Sequence, residues 1–291
     1  MIPAAFEYHA PTSIAEASNL LAQLGDDAKV LSGGQSLIPL MKLRLANPLH
    51  LVDINGIPGL AGIREADGFL RIGALTRESE LEESDLIRTR YPLLHDTSKV
   101  IADPVVRNLA TVGGNLAHAD PANDHPAAML AVGAEIVAAG RGGERRIPIE
   151  SFFTGPFETA LKADEILTEI RVPIPAARSG GVYLKVERKV GDFATAAVAV
   201  QITLGANDVC ERVGIALTNV GLTPIKADKA GAVLLGQRLD DSAIKEAARL
   251  AADAARPSAD LRGPVEYKKD LVRVLTARAL HRAVERAARA R

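Results

Sequence analysis

The sequence predicts an α+β fold divided into two domains. Helical and strand-like patterns are mixed along the chain, and a hydrophobic content of 47% in 291 residues is enough for about two cores. Residues 172–181, VPIPAARSGG, concentrate Pro, Gly and Ser, which favours an extended connection between domains. After this connection the pattern changes to long apolar strands followed by helices.

The first elements carry local start and stop signals. Ser13 and Glu16 form a capping-box pattern that predicts a helix from about Ser13 to Leu24, and Gly25 can end it. The next segments are predicted as strand, glycine loop, helix or tight turn, and strand: 29–31, 32–36, 36–46 and 49–55. The first glycine pair is therefore expected between a strand and a helix.

The middle of the chain is predicted to mix short strands with one helical stretch and one long loop. The strand-like segments are 66–73, 134–140, 145–149 and 164–175, the helical stretch is 79–100, and the loop is 102–130. Gly140 to Gly143 has the composition of a hairpin turn.

The last third of the chain predicts an antiparallel sheet followed by helices. The strand-like segments are 183–189, 194–205 and 210–220, and the helical ones are 226–235, 240–255 and 264–290. The last helix has many arginines on one side and an apolar, core-facing stripe on the other, formed by Val272, Leu275, Ala279, Leu280, Ala283, Val284 and Ala287.

Composition excludes several classes of function. The 35 Lys and Arg residues almost cancel the 36 Asp and Glu residues, so no basic field is available to bind nucleic acid. No window approaches the ~20 apolar residues of a membrane helix, and the start resembles no signal peptide, so a cytoplasmic location is expected, with membrane association only through a complex. Cys210 is the one cysteine, which rules out an iron-sulfur cluster held by this chain, and we expect it to be buried as a small apolar residue.

Two glycine pairs offer the chemistry of a diphosphate site. They lie in the SGGQS segment (32–36) and the TVGGN segment (111–115), each with hydroxyl or amide side chains beside two residues without Cβ. Such pairs can turn backbone N–H groups toward one oxyanion and let a phosphate approach the main chain. Neither segment matches the dinucleotide fingerprint GxGxxG or the P-loop. Taken alone each could be an ordinary turn, and together they favour a nucleotide without specifying which.

The wider pattern resembles a known family. SGGQSLIPLMKLRLANP and TVGGNLAHADPANDHPAA, continued by EILTEIRVPIP, YLKVERKVGDFATAAVAV and GIALTNVGLTP, closely resemble the FAD-binding medium subunits of the molybdenum hydroxylase (xanthine dehydrogenase) family, nearest the carbon monoxide dehydrogenase flavoprotein. The resemblance covers essentially the whole chain. It implies a two-part FAD-binding domain of the vanillyl-alcohol oxidase and p-cresol methylhydroxylase type at 1–177, followed at 178–291 by a small domain of antiparallel sheet and helices.

The resemblance also implies which residues bind FAD. The diphosphate is expected against both segments, at Ser32, Gly33, Gly34, Gln35, Ser36, Thr111, Val112, Gly113, Gly114 and Asn115. Ser32 and Gln35 replace an Ala and a His that are common in the family, and Gln can still donate to a phosphate oxygen. Asp124 is expected beside the adenosine-side ribose or the diphosphate, where a carboxylate accepts from hydroxyls, and its alternative role is to cap a turn.

Four further positions are assigned near the cofactor by resemblance. Ile101 and Leu167 match apolar FAD contacts, although plain core residues would look the same. Lys185 matches a lysine beside the flavin, where a cation would stabilise negative charge on the ring, and its alternative is a solvated strand lysine. Phe193 stands where relatives have a tyrosine near the ring face, so an aromatic plane is kept and a hydroxyl is lost.

A metal site in the same region is rejected. His118, Asp120, Asp124 and His125 are all ligand types, but their spacing suits no common zinc arrangement, and the resemblance assigns the segment to FAD. No group of side chains has the arrangement of a catalytic nucleophile and its base. A chain that only passes electrons through a bound flavin needs no catalytic acid or base of its own.

The resemblance implies a place in a larger complex. Electrons would pass from 2Fe-2S clusters on a small subunit through FAD to a quinone, NAD or another acceptor, while a large subunit with the molybdenum-pterin cofactor oxidises the substrate. A dimer of such heterotrimers is expected. The alternatives are a stand-alone FAD-dependent oxidoreductase and a structural subunit that has lost FAD. The sequence does not specify the substrate, because the substrate pocket lies on another chain.

Overall fold

A small parallel sheet opens the fold in the computed structural model, which describes residues 2–290. Its three strands lie in the order β1-β3-β2 and all run parallel. The elements of this part are β1 (Glu7–His9), α1 (Ile14–Leu24), β2 (Ala28–Leu31), α2 (Leu37–Lys42) and β3 (His50–Asp53). The predicted order of strand, glycine loop, helix and strand is confirmed.

Helix α1 begins and ends as its local signals predict. The Ser13 hydroxyl accepts the N–H of Glu16 at 3.2 Å, and Gly25 ends the helix with a φ of 57°. A capping box also requires the Glu16 carboxylate to accept the N–H of Ser13, and this part of the prediction is wrong. The Glu16 carboxylate accepts the N–H of Thr12 instead, at 2.8 Å. The helix packs its Ala17 and Leu21 side against the small sheet.

A five-stranded antiparallel sheet and six short helices form the next part. The strands lie in the order β4-β5-β10-β6-β7, with a separate two-stranded ribbon of β8 and β9. The strands are β4 (Ile63–Ala66), β5 (Phe69–Gly73), β6 (Glu135–Gly140), β7 (Gly143–Pro148), β8 (Phe153–Gly155), β9 (Glu158–Thr159) and β10 (Ile166–Pro173). The helices are α3 (Glu78–Glu83), α4 (Asp85–Arg90), α5 (Pro92–Lys99), α6 (Pro104–Arg107), α7 (Val112–His118) and α8 (Asp124–Val132).

Two predictions for this part need correction, and one is confirmed. The predicted long loop at 102–130 contains the three helices α6 to α8, because Asp103 and Thr111 cap the N–H groups of Val106 and Gly114 at 3.0 and 3.1 Å. The predicted single helical stretch at 79–100 is divided into α3, α4 and α5. The hairpin is as expected, with Gly140 paired to Gly143.

An antiparallel sheet covered by helices ends the chain, as predicted. Its strands lie in the order β11-β12-β13-β14. The elements are β11 (Ser179–Val186), β12 (Ala196–Leu204), β13 (Cys210–Thr218), β14 (Ile225–Lys226), α9 (Asp228–Ala232), α10 (Asp241–Ala254) and α11 (Val265–Arg289). The apolar stripe predicted on the last helix is buried in α11 except for Val284, which is half-buried.

Strand β12 is buried on both faces, which explains its continuous apolar sequence. Val198 and Val200 belong to the core shared with α10 and α11. Ala197 and Ala199 point the other way, into the core shared with α5 and α8. Small residues are needed on that side: a Cβ on Gly214 would lie 2.0 Å from a carbonyl oxygen of α8. The last sheet is thus packed directly onto the preceding part of the chain.

None of the helices within residues 2–290 is long and apolar enough to cross a membrane.

Candidate functional site

The SGGQS segment presents a row of backbone N–H groups. It joins the end of β2 to the start of α2, and Gly34 has a φ of 72°, which glycine adopts without strain. Among the described residues, none accepts a hydrogen bond from the N–H of Gly33, Gly34, Gln35 or Ser36. The Gln35 amide folds back and donates to the Gly33 carbonyl at 3.1 Å. Four consecutive donors are therefore available to an anion.

The TVGGN segment forms the first turn of α7, and the N–H groups of its last four residues are already paired. Val112 donates to Thr76 O at 3.0 Å and Gly113 to Ala74 O at 2.9 Å, while the N–H groups of Gly114 and Asn115 return to Thr111 at 3.1 and 2.9 Å. The interpretation that this second glycine pair turns free N–H groups toward an oxyanion is therefore wrong. These N–H groups hold the start of the helix in place instead.

The glycines of the TVGGN segment permit close packing. A Cβ on Gly113 would lie 2.6 Å from the Ala74 Cβ, and one on Gly114 would lie 2.6 Å from Thr111 Oγ1 and 2.8 Å from Ser32 Oγ. Real Cβ atoms essentially never come this close to other heavy atoms. Gly114 thus faces the SGGQS segment.

The two segments meet to form one site. Ser32 Oγ lies 3.1 Å from Thr111 Oγ1, and a Cβ on Gly33 would lie 2.5 Å from the Leu109 carbonyl oxygen. The buried Oδ1 of Asn115 has no hydrogen-bond partner among the described residues. A buried polar atom without a partner is costly in an otherwise complete structure. It is what a ligand-binding site would leave for its ligand.

Two residues that the sequence analysis missed support this site. Asn55 Nδ2 donates to Ser32 O at 2.8 Å, and Arg77 Nη2 donates to Asn55 Oδ1 at 3.0 Å. Arg77 also donates to Leu109 O at 2.5 Å, so it bridges the surroundings of both segments. Neither residue lies in a recognisable motif. Each contact joins positions more than 20 residues apart, so no local signal could have revealed them.

Asp124 and Lys185, predicted as separate cofactor contacts, bind each other. Lys185 Nζ lies 2.9 Å from Asp124 Oδ2, 2.9 Å from Val100 O and 3.4 Å from Glu187 Oε2. Tyr183 donates to Asp124 Oδ1 at 2.7 Å. The Lys185 side chain is only 2% exposed and that of Asp124 only 6%, so a solvated strand lysine is the wrong alternative. The carboxylate accepts from Lys185 and Tyr183 side chains, so a turn-capping role is also wrong.

Burial shifts the pKa of two groups in this cluster, Asp124 and Tyr183. It raises the pKa of the Asp124 carboxyl, and the Lys185 ammonium and Tyr183 hydroxyl partly offset that rise. Burial and the nearby Asp124 charge raise the pKa of Tyr183 well above its ordinary value. Tyr183 is the third residue missed. Strand alternation could have found it, because residues 183 and 185 of β11 share one face.

Two of the three remaining predicted contacts lie near these groups. Ile101 is buried in the turn after α5, next to the Val100 carbonyl that binds Lys185. A Cβ on Gly191 would lie 3.0 Å from Ala102 O, so the segment that leads to Phe193 lies against the same turn. Phe193 is 46% exposed, which leaves a ring face available.

Leu167 lies deeper than the other predicted contacts, in β10 within the main core. The neighbouring Thr168 carbonyl accepts from Ala74 N at 3.0 Å, and Ala74 O in turn holds Gly113. Leu167 therefore shares the main core with Val112 of the TVGGN segment.

The side chains considered for a metal have other partners. His125 Nε2 lies 2.7 Å from Glu78 Oε2, and both side chains are fully buried. Asp120 accepts from the N–H of Ala122, and the His118 ring lies 5.2 Å from that of Phe157. Cys210 is buried as expected, and burial raises the pKa of its thiol to about 11.

Comparison with known families accounts for almost the whole chain. Residues 4–175 match the family described as the FAD binding domain in molybdopterin dehydrogenase, and residues 181–283 match the carbon monoxide dehydrogenase flavoprotein C-terminal domain. The chain belongs to the molybdopterin dehydrogenase family, as its FAD-binding medium subunit. The α+β prediction, with an FAD-binding domain followed by a domain of antiparallel sheet and helices, is confirmed at this level.

Members of this family are similar along their full length. The carbon monoxide dehydrogenase medium chain of Hydrogenophaga pseudoflava is 47% identical, covering 99% of this chain and 100% of its own, and that of Afipia carboxidovorans is 45% identical, covering 99% of each. A solved structure of the Hydrogenophaga pseudoflava enzyme superposes with a TM-score of 0.96 over 98% of this chain and 99% of its own, at 48% identity. Quinoline 2-oxidoreductase of Pseudomonas putida 86 superposes with a TM-score of 0.91 at 32% identity, over 99% of each chain.

Proposed function

We propose that the SGGQS and TVGGN segments together hold the FAD diphosphate, as predicted from the sequence. The observation that carries the proposal is the row of four N–H groups from Gly33 to Ser36 that no described residue accepts. A diphosphate is an acceptor suited to such a row. The TVGGN segment packs against this row and contributes donors from the Thr111 hydroxyl and the Asn115 amide NH2, since the unpartnered Asn115 Oδ1 can only accept and cannot bind a phosphate oxygen. The residues therefore fit the cofactor of the family.

The remaining assignments complete the FAD site. Asp124 is placed at the adenosine-side ribose or diphosphate, Ile101 and Leu167 at apolar parts of FAD, and Lys185 and Phe193 at the flavin ring. Lys185 is flanked by two carboxylates within 3.4 Å, so its positive charge is largely offset. We therefore assign Lys185 a positioning role through its bonds to Asp124 and Val100 rather than a long-range electrostatic one.

FAD supplies the redox chemistry, because it can take up and pass on electrons. The residues of this chain bind and orient it, and the apolar contacts exclude water. The cluster around Asp124 joins the FAD-binding domain to the last sheet, so it holds the two parts of the site in register. No side chain need act as a general acid or base, in agreement with an electron relay.

The proposed function is relay of electrons within a molybdenum-containing hydroxylase of the carbon monoxide dehydrogenase type. Two carbon monoxide dehydrogenase medium chains are 47% and 45% identical to this chain, whereas the subunits named for 6-hydroxypseudooxynicotine and glyceraldehyde dehydrogenases are 37% and 36% identical. We infer that carbon monoxide is the substrate of the complex, oxidised on the large subunit. The acceptor would be a quinone or NAD.

The assembly and domain details belong to the same proposal. The partners are a small subunit with 2Fe-2S clusters and a molybdenum-pterin large subunit, in a dimer of heterotrimers located in the cytoplasm. Within this chain, the boundary lies at residue 177, and residues 1–177 form a two-part domain of the vanillyl-alcohol oxidase and p-cresol methylhydroxylase type.

Native purification tests the relay. We expect this chain to copurify with the two other subunits, with FAD, iron and molybdenum bound, and the complex to reduce an artificial dye when supplied with carbon monoxide. Activity with another substrate, such as an aldehyde or an N-heterocycle, would overturn only the choice of carbon monoxide. An active flavoprotein free of iron and molybdenum would overturn the relay and favour a stand-alone oxidoreductase. A complex in which this chain lacks FAD would instead favour a purely structural subunit.

A further inference from the structure

Two histidines and a glutamate share one face of the small parallel sheet, away from the glycine segments. Glu7 and His9 are two residues apart on β1, so their side chains point to the same side. Strand β1 pairs with β3 so that Glu7 lies opposite His50. The strand register therefore brings these three side chains together.

The three ligand atoms are separated as in a metal site. His9 Nε2 lies 3.2 Å from His50 Nδ1, His50 Nδ1 lies 3.4 Å from Glu7 Oε2, and His9 Nε2 lies 4.0 Å from Glu7 Oε2. Ligand atoms bound tetrahedrally to zinc at its usual bond lengths are about 3.3 Å apart. Two separations match this value, and the third needs only a small rotation of the Glu7 carboxylate, which is 74% exposed and free to move.

The two imidazoles are held in place before any ion binds. Their side chains are only 25% and 19% exposed, and neither ring has a side-chain partner outside this cluster among residues 2–290. On the opposite face of the sheet, the Tyr8 hydroxyl donates to Asp53 at 2.5 Å and ties β1 to β3. This contact fixes the register on which the cluster depends.

We propose that Glu7, His9 and His50 bind a zinc ion that links the edge strand β1 to β3. Two imidazole nitrogens select zinc and similar transition metals over Mg²⁺ and Ca²⁺, which prefer oxygen ligands. Three protein ligands leave a fourth position for water. Strand β1 is at the edge of its sheet, and within residues 2–290 its only partner strand is β3, so a cross-strand metal bridge adds a link that the backbone does not supply.

Calorimetric titration of the tag-free, chelator-treated full-length chain with zinc chloride tests the proposal. We expect equimolar binding, and we expect His50→Gln to weaken it by more than roughly 100-fold, because loss of a direct ligand exceeds the 10- to 100-fold effect typical of outer partners. The matched control is His281→Gln, since His281 also lies near a carboxylate, Asp241 at 3.8 Å, but has no second imidazole. Zinc binding that persists unchanged in His50→Gln, or that is lost in His281→Gln, would overturn the assignment.

Thermal unfolding gives a second readout, and in the wild-type chain it requires no variant. Zinc should raise the melting temperature of the wild-type chain, while magnesium should leave it unchanged. The zinc-induced shift should shrink in Glu7→Gln, which keeps both imidazoles. If the wild-type chain neither binds zinc nor shifts its melting temperature, the two histidines form only a hydrogen-bonded pair and the proposal is refuted.

Discussion

Gly33→Ala should separate the two segments of the FAD site. The added Cβ would lie 2.5 Å from Leu109 O, 2.8 Å from Ala110 Cα and 3.0 Å from Thr111 N, all backbone atoms that cannot rotate away. To restore an ordinary contact of at least 3.4 Å, the 2.5 Å gap must widen by about 0.9 Å. A displacement near 1 Å in a preorganised site can lower a reaction rate about 100-fold, and binding of a positioned ligand depends on the same geometry. We therefore expect FAD binding to weaken about 100-fold, or about 2.8 kcal/mol.

Fluorescence titration of apo-protein with FAD measures this change, and circular dichroism shows whether the variant is folded. The matched control is Gly142→Ala, because Gly142 lies in the β6–β7 hairpin turn where a Cβ would meet no atom within 4 Å. The control should bind FAD like the wild type. A folded Gly33→Ala variant with wild-type FAD affinity would refute the placement of the diphosphate at this junction.

Three further predictions follow from the site and from one ion pair. Gly114→Val should give a folded chain with greatly reduced flavin content, because its Cβ displaces two hydroxyls that lie 2.6 and 2.8 Å away; full flavin content, measured by absorbance after desalting, would contradict this. Asp124→Asn should lower the free energy of unfolding by about 3 kcal/mol in denaturant titrations, because it leaves the buried Lys185 ammonium without its closest carboxylate, and the double variant with Lys185→Met should recover much of the loss. Arg145 lowers the pKa of Glu165, so the pair stabilises the fold above the unfolded-state pKa of about 4.3, and this contribution is lost as the pH falls through the lower folded-state pKa. The Glu165→Gln variant should therefore be less stable than the wild type at pH 6, and it should lose less stability than the wild type when the pH is lowered. If the melting temperatures of the two proteins fall in parallel with pH, the Arg145–Glu165 pair does not contribute in this way.

Elements with local signals were predicted well. Helix α1 begins after a capping serine and ends at a glycine, and the β6–β7 hairpin turns between two glycines. The stripe on α11 follows from helical periodicity alone. Helices α6 and α7 were missed although their caps, Asp103 and Thr111, are local, because 4 and 7 residues are too few to show an apolar period.

The burial of Lys185 and its pairing with Asp124 could not be predicted from its neighbours in sequence. A lysine in a strand is ordinarily solvated, and this one is buried because its partner Asp124 lies 61 residues earlier in the chain. The same holds for Asn115, whose unpartnered buried oxygen becomes visible only when the surrounding helices are in place. Burial and pairing are properties of packing between distant segments.

The sequence by itself determined the family, the cofactor and the positions of the two glycine pairs, because these depend on residue identity and order. Only the tertiary structure decided how the pairs differ. The N–H groups of Gly33 to Ser36 remain available, whereas Val112 and Gly113 in the TVGGN segment donate to the carbonyl groups of Thr76 and Ala74, which the fold brings next to them. Two short motifs of similar composition thus act differently, since a backbone N–H binds a ligand only when no carbonyl from elsewhere in the chain has already accepted it.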